Sequence, residues 1–165
     1  MKYSYLWCAI ELEKTMGTIF RRLLMPAMAL FMAAGVSAQN ADRILGVYKA
    51  VEEGKESKVE FTRQPDGSFR GRIVWLRNPE NPDGTPKLDV KNPDKTKRAV
   101  RADQVVVVEG VRYDAEKNVW NGGRVYDPTK GKSYKVELSF TEENTLRVKG
   151  SLLGFSRSVY WTKVE

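Results

Sequence analysis

The side chains that most often carry catalysis are absent from nearly all of this chain. It contains no histidine, and its one cysteine is Cys8. Nucleophilic triads built on Ser-His-Asp or Cys-His are therefore excluded, as are zinc, copper and haem sites that need His or Cys ligands. General acid–base chemistry near neutral pH also loses its usual carrier. Carboxylate, lysine, tyrosine or serine chemistry remains, but no motif marks it. These residues favour a protein that is not an enzyme and carries no cofactor or metal.

Oxygen-bearing side chains cluster in a segment with four prolines, residues 78–98, which cannot form a helix or a central strand. Four of them could bind calcium, although their spacing matches no fixed calcium-binding pattern: Asp83, Asp89, Asn92 and Asp94. Asx residues beside Pro and Gly more often cap turns through neighbouring backbone groups. We interpret the segment as a loop outside the sheet, at one mouth of a barrel, with Asp89 and Asn92 as candidate site residues.

The most distinctive stretch is residues 120–128, which contains two adjacent glycines. Paired glycines in a strand indicate a bend, a bulge, or the close approach of another backbone or a ligand. Strict alternation would place Trp120, Arg124 and Tyr126 on one face. If that face pointed inward, Arg124 would need a carboxylate partner from a ligand or from the protein. A bulge would instead turn Arg124 outward.

Aromatic residues recur at alternating positions and could either line a cavity or fill a core. An eight-stranded barrel is at the size where side chains fill the interior or leave room for one small ligand. The sequence does not decide between these outcomes. The candidate ligand-binding residues are Trp75, Trp120, Arg124, Tyr126, Tyr134 and Trp161.

Strand patterns separated by short turns account for most of the chain after residue 43. The eight predicted strands are Ile44–Val51, Lys58–Thr62, Phe69–Leu76, Gln104–Arg112, Val119–Tyr126, Ser133–Thr141, Leu146–Leu152 and Arg157–Val164. In the third strand, alternation places Phe69, Ile73 and Trp75 on one face. Eight consecutive antiparallel strands predict an all-β, up-and-down barrel, which leaves no exposed edge. A two-sheet sandwich fits the strand count almost as well.

The chain begins with the pattern of a secretory signal peptide. Arg21 and Arg22 precede a short apolar run, residues 23–35, and Val36-Ser37-Ala38 offers a small-x-small cleavage site. The run is too short to cross a bilayer, which needs about 20 apolar residues. We therefore predict a segment 1–38 that is removed, a single domain 39–165, and a periplasmic or secreted protein. Residues 1–15 are either a misplaced start before Met16 or a long n-region.

The predicted mature protein is basic, with 24 Lys and Arg against 19 Asp and Glu residues. The excess favours anionic partners such as lipid headgroups or glycans, although the charges are mixed along most segments. Lys95, Lys97, Arg98 and Arg101 form a local basic cluster, but an exported protein rarely meets nucleic acid. We expect no nucleic-acid partner and a monomer.

Several motifs in order are similar to those of the bacterial exported family known as domain-of-unknown-function family 2147. They are Gly71-x-Ile73-Val74-Trp75-Leu76, Asp89-x-x-Asn92-Pro93-Asp94, the block from Trp120 through Tyr126-Asp127-Pro128 to Tyr134, Leu146-x-Val148-x-Gly150, Leu153-Gly154 and Trp161-Thr162-x-Val164. The resemblance covers roughly residues 42–165 and implies a lipocalin-like barrel without an established activity. The first strand departs from the family, because Tyr48 stands where the family carries Trp.

Three functions are compatible with these observations. The leading hypothesis is non-enzymatic binding of a small apolar or amphipathic ligand in the barrel. The second is a cell-envelope protein that contacts anionic lipid or glycan through its basic surface and the loop 78–98. The third, a carboxylate-dependent glycan hydrolase, would need two carboxylates about 5–10 Å apart in a cleft.

Overall fold

The computed structural model describes residues 40–165, which form nine antiparallel strands. Residues 42–165 make one compact unit. The predicted signal peptide lies outside the described residues. The strands are β1 (Gly46–Glu52), β2 (Lys55–Arg63), β3 (Phe69–Leu76), β4 (Val106–Asp114), β5 (Val119–Asn121), β6 (Arg124–Asp127), β7 (Lys132–Phe140), β8 (Thr145–Leu152) and β9 (Phe155–Lys163).

The sheet closes on itself in chain order. Strands that follow one another in sequence pair with each other, except β5 and β6, and β1 pairs with β9 to complete the barrel. β5 and β6 both pair with β4 on one side and with β7 on the other, so together they occupy one position of eight. The predicted eight-stranded up-and-down barrel is therefore confirmed, and no strand edge is left unpaired along the main wall.

The break between β5 and β6 comes from the paired glycines. Gly122 has φ +80°, a conformation that side chains rarely adopt. At Gly123 a Cβ atom would overlap the carbonyl oxygen of Glu109, so only glycine allows β4 to approach this closely. The resulting bulge reverses the alternation, and Arg124 is exposed opposite Glu109. Strict alternation across this stretch was thus wrong, and the alternative of a bulge is what the chain adopts.

A second irregularity moves Trp75 out of the interior. Ile73 lies opposite Val59, but the register shifts by one residue, and Trp75 then lies opposite Lys58. Trp75 is 40% exposed, whereas Ile73 is buried. The prediction that Trp75 shares the inward face of Phe69 and Ile73 was wrong, because a β-bulge inserts one residue and reverses the side-chain direction beyond it.

Aromatic side chains fill one half of the barrel interior. The rings of Tyr48 and Phe61 meet edge to face with centroids 5.5 Å apart, and the ring of Trp161 lies 6.2 Å from Phe61. Trp120 packs edge to face against Phe140 at 5.7 Å. Such pairs add about 0.5–1.5 kcal/mol each beyond the burial of their area. This half of the barrel is a packed core.

The segment before β1 closes the barrel beneath these aromatics. Ile44 is fully buried, and its carbonyl oxygen accepts a hydrogen bond from the Tyr48 hydroxyl at 3.0 Å. The Arg43 guanidinium lies 4.1 Å from the centre of the Phe140 ring and donates to the carbonyl oxygen of Glu143 at 3.3 Å. We call this the closed end, which also includes the turns 64–68, 115–118 and 141–144.

Candidate functional site

The opposite end of the barrel, which we call the open end, carries the long loop and three hairpin turns. It comprises the β3–β4 loop (residues 77–105) and the turns at 53–54, 128–131 and 153–154. The interior face becomes progressively exposed toward this end. Along β8, Leu146 is 0% and Val148 2% exposed, whereas Leu152 is 44% exposed. The interior-facing side chains are therefore buried toward the closed end and become exposed where the β8–β9 hairpin reaches the open end.

Polar and charged groups converge where the interior face reaches the open end. Arg157 lies opposite Gly150, which lies opposite the buried Val136, so the register places Arg157 on the interior face. A Cβ on Gly150 would lie 3.5 Å from the Cβ of Tyr134, so the Tyr134 ring stands beside this position. The open end thus offers a guanidinium and a phenol above an apolar interior.

Lys130 adds a second cation to this group. Its ammonium donates to the Oδ2 atom of Asp127 at 3.0 Å. This hydrogen bond and the charge of Asp127 raise the pKa of Lys130, while the nearby Arg157 charge opposes the rise. Arg157 itself has a long, exposed ion pair of 4.0 Å with Glu53. Exposed pairs of this kind are worth little, so the guanidinium remains available to an anionic group.

A buried polar cluster (Asp89, Asn92 and Tyr126), which we call the Asp89 cluster, attaches the long loop to the barrel wall. The Tyr126 hydroxyl donates to the Oδ1 atom of Asp89 at 2.7 Å, and the Asn92 amide donates to its Oδ2 atom at 2.6 Å. Asp89 is 3% exposed. Within residues 40–165 no cation forms an ion pair with it, so its charge is balanced by these neutral donors.

Contacts around the Asp89 cluster extend the attachment. The Lys91 ammonium donates to the carbonyl oxygen of Thr129 at 2.7 Å, and Arg98 Nε donates to the carbonyl oxygen of Asn92 at 2.7 Å. Gly131 has φ +66°, and a Cβ there would overlap the Lys91 carbonyl oxygen. The loop therefore lies against the outer side of β6 and the β6–β7 turn.

Asp83 and Asp94, the other two acidic residues of the candidate calcium-binding set, form turns, as the turn interpretation predicts. The Oδ1 atom of Asp83 accepts from the Thr85 backbone N–H at 3.0 Å and from its hydroxyl at 2.6 Å. Asp94 makes the same pair of contacts with Thr96. Among residues 40–165 no group of three or more acidic side chains is placed to hold a metal ion.

The pKa of Tyr126 is raised mainly by burial and to a lesser extent by the hydrogen bond to Asp89. Burial also raises the pKa of Tyr48. A raised pKa in the folded protein means that folding favours the neutral phenol. The contribution of each phenol to the free energy of unfolding is therefore fully present below pH ~10, the pKa of an unfolded tyrosine, and is lost as the pH rises above that value. We expect the free energy of unfolding to fall above about pH 10, by at most ~1.4 kcal/mol per pH unit for each phenol.

Tyr126→Phe should make this alkaline decline shallower in urea titrations run at a series of pH values. Tyr160→Phe removes an exposed hydroxyl and controls for the substitution itself. A Tyr126→Phe protein with the wild-type slope would contradict the assignment of the Asp89 cluster as the source.

The candidate residues from the sequence fall into three groups. Trp120 and Trp161 are buried in the interior, and Tyr134 is half-buried at the open end. Tyr126, Asp89 and Asn92 meet in the Asp89 cluster. Trp75 and Arg124 are exposed and join neither group. Lys130 and Arg157 were not predicted, because nothing local distinguishes them from other surface cations.

One surface depression of roughly 350 Å³ lies on the outside of the barrel, between the β2–β3 turn and β4. It is lined by two carboxylates, Asp66 and Glu109, and a glycan hydrolase would need such a pair. Hydrogen bonds from Ser68, together with the Arg112 charge, lower the pKa of Asp66. Glu109 is paired with Arg70 at 3.2 Å. A carboxylate whose pKa is lowered is a poor general acid, so this depression gives the hydrolase hypothesis no support.

Comparisons with known proteins agree with the barrel. The model of a family described as "Uncharacterized protein conserved in bacteria (DUF2147)" matches residues 46–163, from β1 to the last residue of β9. Among solved structures, protein HP1028 from the human pathogen Helicobacter pylori, described as belonging to the lipocalin family, is 26% identical with a TM-score of 0.58. That match covers 74% of this chain and 83% of the other. No curated protein matches the chain.

Within residues 40–165, none of the helical segments has the length and apolar character needed to traverse a bilayer.

Proposed function

This chain belongs to the DUF2147 family of bacterial proteins, and on that premise we propose that it is an exported, non-enzymatic protein that binds a small amphipathic molecule at the open end of its barrel. The apolar part of the ligand lies against the interior face, and an anionic group meets Arg157, with Lys130 and Tyr134 beside it. The compartment follows from the signal-peptide pattern at residues 21–38.

The observation that carries this proposal is the gradient of exposure along the interior face. A barrel filled evenly from end to end would offer a ligand no entrance. Here Val148 is buried, while Leu152, four residues further along β8 on the same face, is exposed. Transfer of apolar ligand surface to such a face is favourable by about 25 cal/mol per Å². The cations at the same level supply orientation, because a few placed polar groups fix a ligand in an otherwise apolar site.

An unpaired donor inside the barrel supports the same reading. The Nε1 atom of Trp161 is buried and has no hydrogen-bond acceptor among residues 40–165. Leaving such a group unsatisfied costs about 1–3 kcal/mol. An oxygen of a bound ligand or of an internal water would remove this cost. Trp161 lies opposite Leu146 in the packed half of the interior, so its N–H would contact only a ligand group that reaches that depth, well below Arg157.

Binding of cis-parinaric acid, a fluorescent fatty acid, tests the proposal on protein that begins at Gln39 and so contains the whole closed barrel. Arg157→Glu should weaken binding of the acid by about tenfold, equivalent to ~1.4 kcal/mol. It should leave binding of the uncharged methyl ester nearly unchanged. Lys149→Glu is the matched control, because Lys149 lies on the same hairpin opposite Ser158 and points to the outer face.

Equal loss with Arg157→Glu and Lys149→Glu would show a general effect of surface charge and contradict the site. Absence of binding for both acid and ester would reject the ligand class. Native mass spectrometry of the protein purified gently from its host gives an independent check. A reproducible added mass that disappears on denaturation would identify the natural ligand.

A further inference from the structure

The β8–β9 hairpin ends in the most exposed apolar side chains of residues 40–165. Leu153 is 90% and Phe155 82% exposed. The hairpin has no neighbours at its tip, because pairing with β7 stops at Ser151 and pairing with β1 stops at Trp161. We call residues 152–155 the hairpin tip. No strand pairs with it on either side at the open end.

Turn geometry does not explain these apolar residues. Leu153 and Gly154 both have positive φ, +50° and +87°, which is the arrangement of a two-residue hairpin turn that Asn-Gly or Asp-Gly normally forms. The β1–β2 hairpin makes the same turn with Glu53 and Gly54, at +51° and +76°. A polar residue therefore suits this turn in the same protein. Leucine at 153 adds strain and exposes an apolar side chain without any benefit to folding.

The charges near the hairpin tip are predominantly positive. Between residues 77 and 104, the long loop carries seven Lys and Arg against five Asp and Glu residues. Lys130, Lys132 and Arg157 stand on the β6–β7 turn, β7 and β9, and two of them are paired with the acidic residues Asp127 and Glu53. The closed end has the opposite character, with Glu142 and Glu143 in its β7–β8 turn. An anionic surface would therefore attract the open end and repel the closed end.

We propose that the hairpin tip inserts into the headgroup region of an anionic phospholipid bilayer, with the open-end cations against the lipid phosphates. Apolar side chains beside cations are the combination that peripheral membrane contacts use. A second copy of the chain suits the tip less well, because tip-to-tip contact would bring two positive ends together. Leu152 and Phe155 lie on the same face of the hairpin as Arg157, so the tip borders the proposed ligand site, and separate assays with vesicles and with cis-parinaric acid distinguish the two.

Flotation with lipid vesicles tests this inference, again with protein that begins at Gln39. One set of vesicles contains equal parts of phosphatidylglycerol and phosphatidylcholine, and the other contains phosphatidylcholine alone. We expect binding to the anionic set and much weaker binding to the neutral set. Added salt should reduce binding without abolishing it, because ions screen charges but leave the apolar contact in place.

The variant Leu153→Ser with Phe155→Ser should lower the partition coefficient on anionic vesicles by about tenfold or more. Tyr160→Ser with Val164→Ser is the matched control, since it removes two exposed apolar side chains from the outer wall and the closed end. Because all four positions are exposed, we expect both variants to fold. Circular dichroism and urea unfolding confirm this before flotation.

Failure of the wild-type protein to bind anionic vesicles at low salt would overturn the inference, as would equal loss in both variants. If the tip variant kept vesicle binding but converted a dimer to a monomer in sedimentation, the tip would be a protein–protein contact instead. Binding of cis-parinaric acid without vesicle binding would retain the proposed ligand site and reject only the membrane contact.

Discussion

Trp120→Ala should lower the free energy of unfolding by about 3–5 kcal/mol, the usual range for removing a fully buried large aromatic side chain. Trp120 is 1% exposed, and its ring lies 5.0 Å from that of Tyr113 and 5.7 Å from that of Phe140. It also lies on β5, where the wall of the barrel is already interrupted by the glycine bulge. The indole thus packs against the inner side of the sheet beside the interruption between β5 and β6.

Trp75→Ala is the matched comparison for this prediction. The same chemical change at a position that is 40% exposed should cost about 1 kcal/mol or less. Urea unfolding followed by far-ultraviolet circular dichroism measures both, because that signal does not rely on the tryptophans being replaced. Similar losses for the two variants would contradict the register shift that turns Trp75 outward.

Asp89→Ala should release the long loop from the barrel wall. Removal of the carboxylate leaves the Tyr126 hydroxyl and the Asn92 amide as buried donors without an acceptor. Each unsatisfied buried donor costs about 1–3 kcal/mol, so the attached state loses on the order of 3 kcal/mol. The loop can avoid this cost by opening, which limits the global loss of stability. We therefore expect local exposure of residues 87–101 rather than unfolding of the barrel.

Limited trypsin digestion measures the release, because the loop contains cleavage sites at Lys95, Lys97 and Arg98. The cleavage rate of the Asp89→Ala protein should rise by about two orders of magnitude if ~3 kcal/mol of attachment is lost. Asp83→Ala is the control within the same loop, since it removes an exposed turn-forming carboxylate. A comparable rise in the Asp83→Ala protein would show that the Asp89 cluster is not the main attachment.

Most of the sheet could be predicted from the alternation of apolar and polar residues alone. The two positions at which this rule failed have the same physical cause. Along β7, the alternating Val136 and Leu138 are buried as predicted, with their neighbours turned outward. The exposed positions of Trp75 and Arg124 could not be predicted with the same rule. Each follows a bulge, and one inserted residue reverses the direction of every later side chain in a strand. The glycines before Arg124 indicated a bulge, whereas nothing around Val74 did.

The candidate site was harder to predict from the sequence than the strands were. Asp89, Asn92 and Tyr126 were each identified, but their association joins positions 37 residues apart and follows from the way the loop lies on β6. Arg157 and Lys130 resemble any other surface cations until the barrel closes. The apolar pair Leu153 and Phe155 was not singled out from the sequence, because its exposure depends on where pairing with the neighbouring strands ends.

The sequence by itself determined the all-β class, the strand positions and the family resemblance, because period-two patterning and turn chemistry act over a few residues. It also determined that histidine and cysteine chemistry is excluded. Only the tertiary structure decided which end is sealed, where Trp75 and Arg124 point, and which groups meet around Asp89 and Arg157. These depend on register between strands and on closure of β1 with β9, and such long-range pairings leave no local trace in the chain.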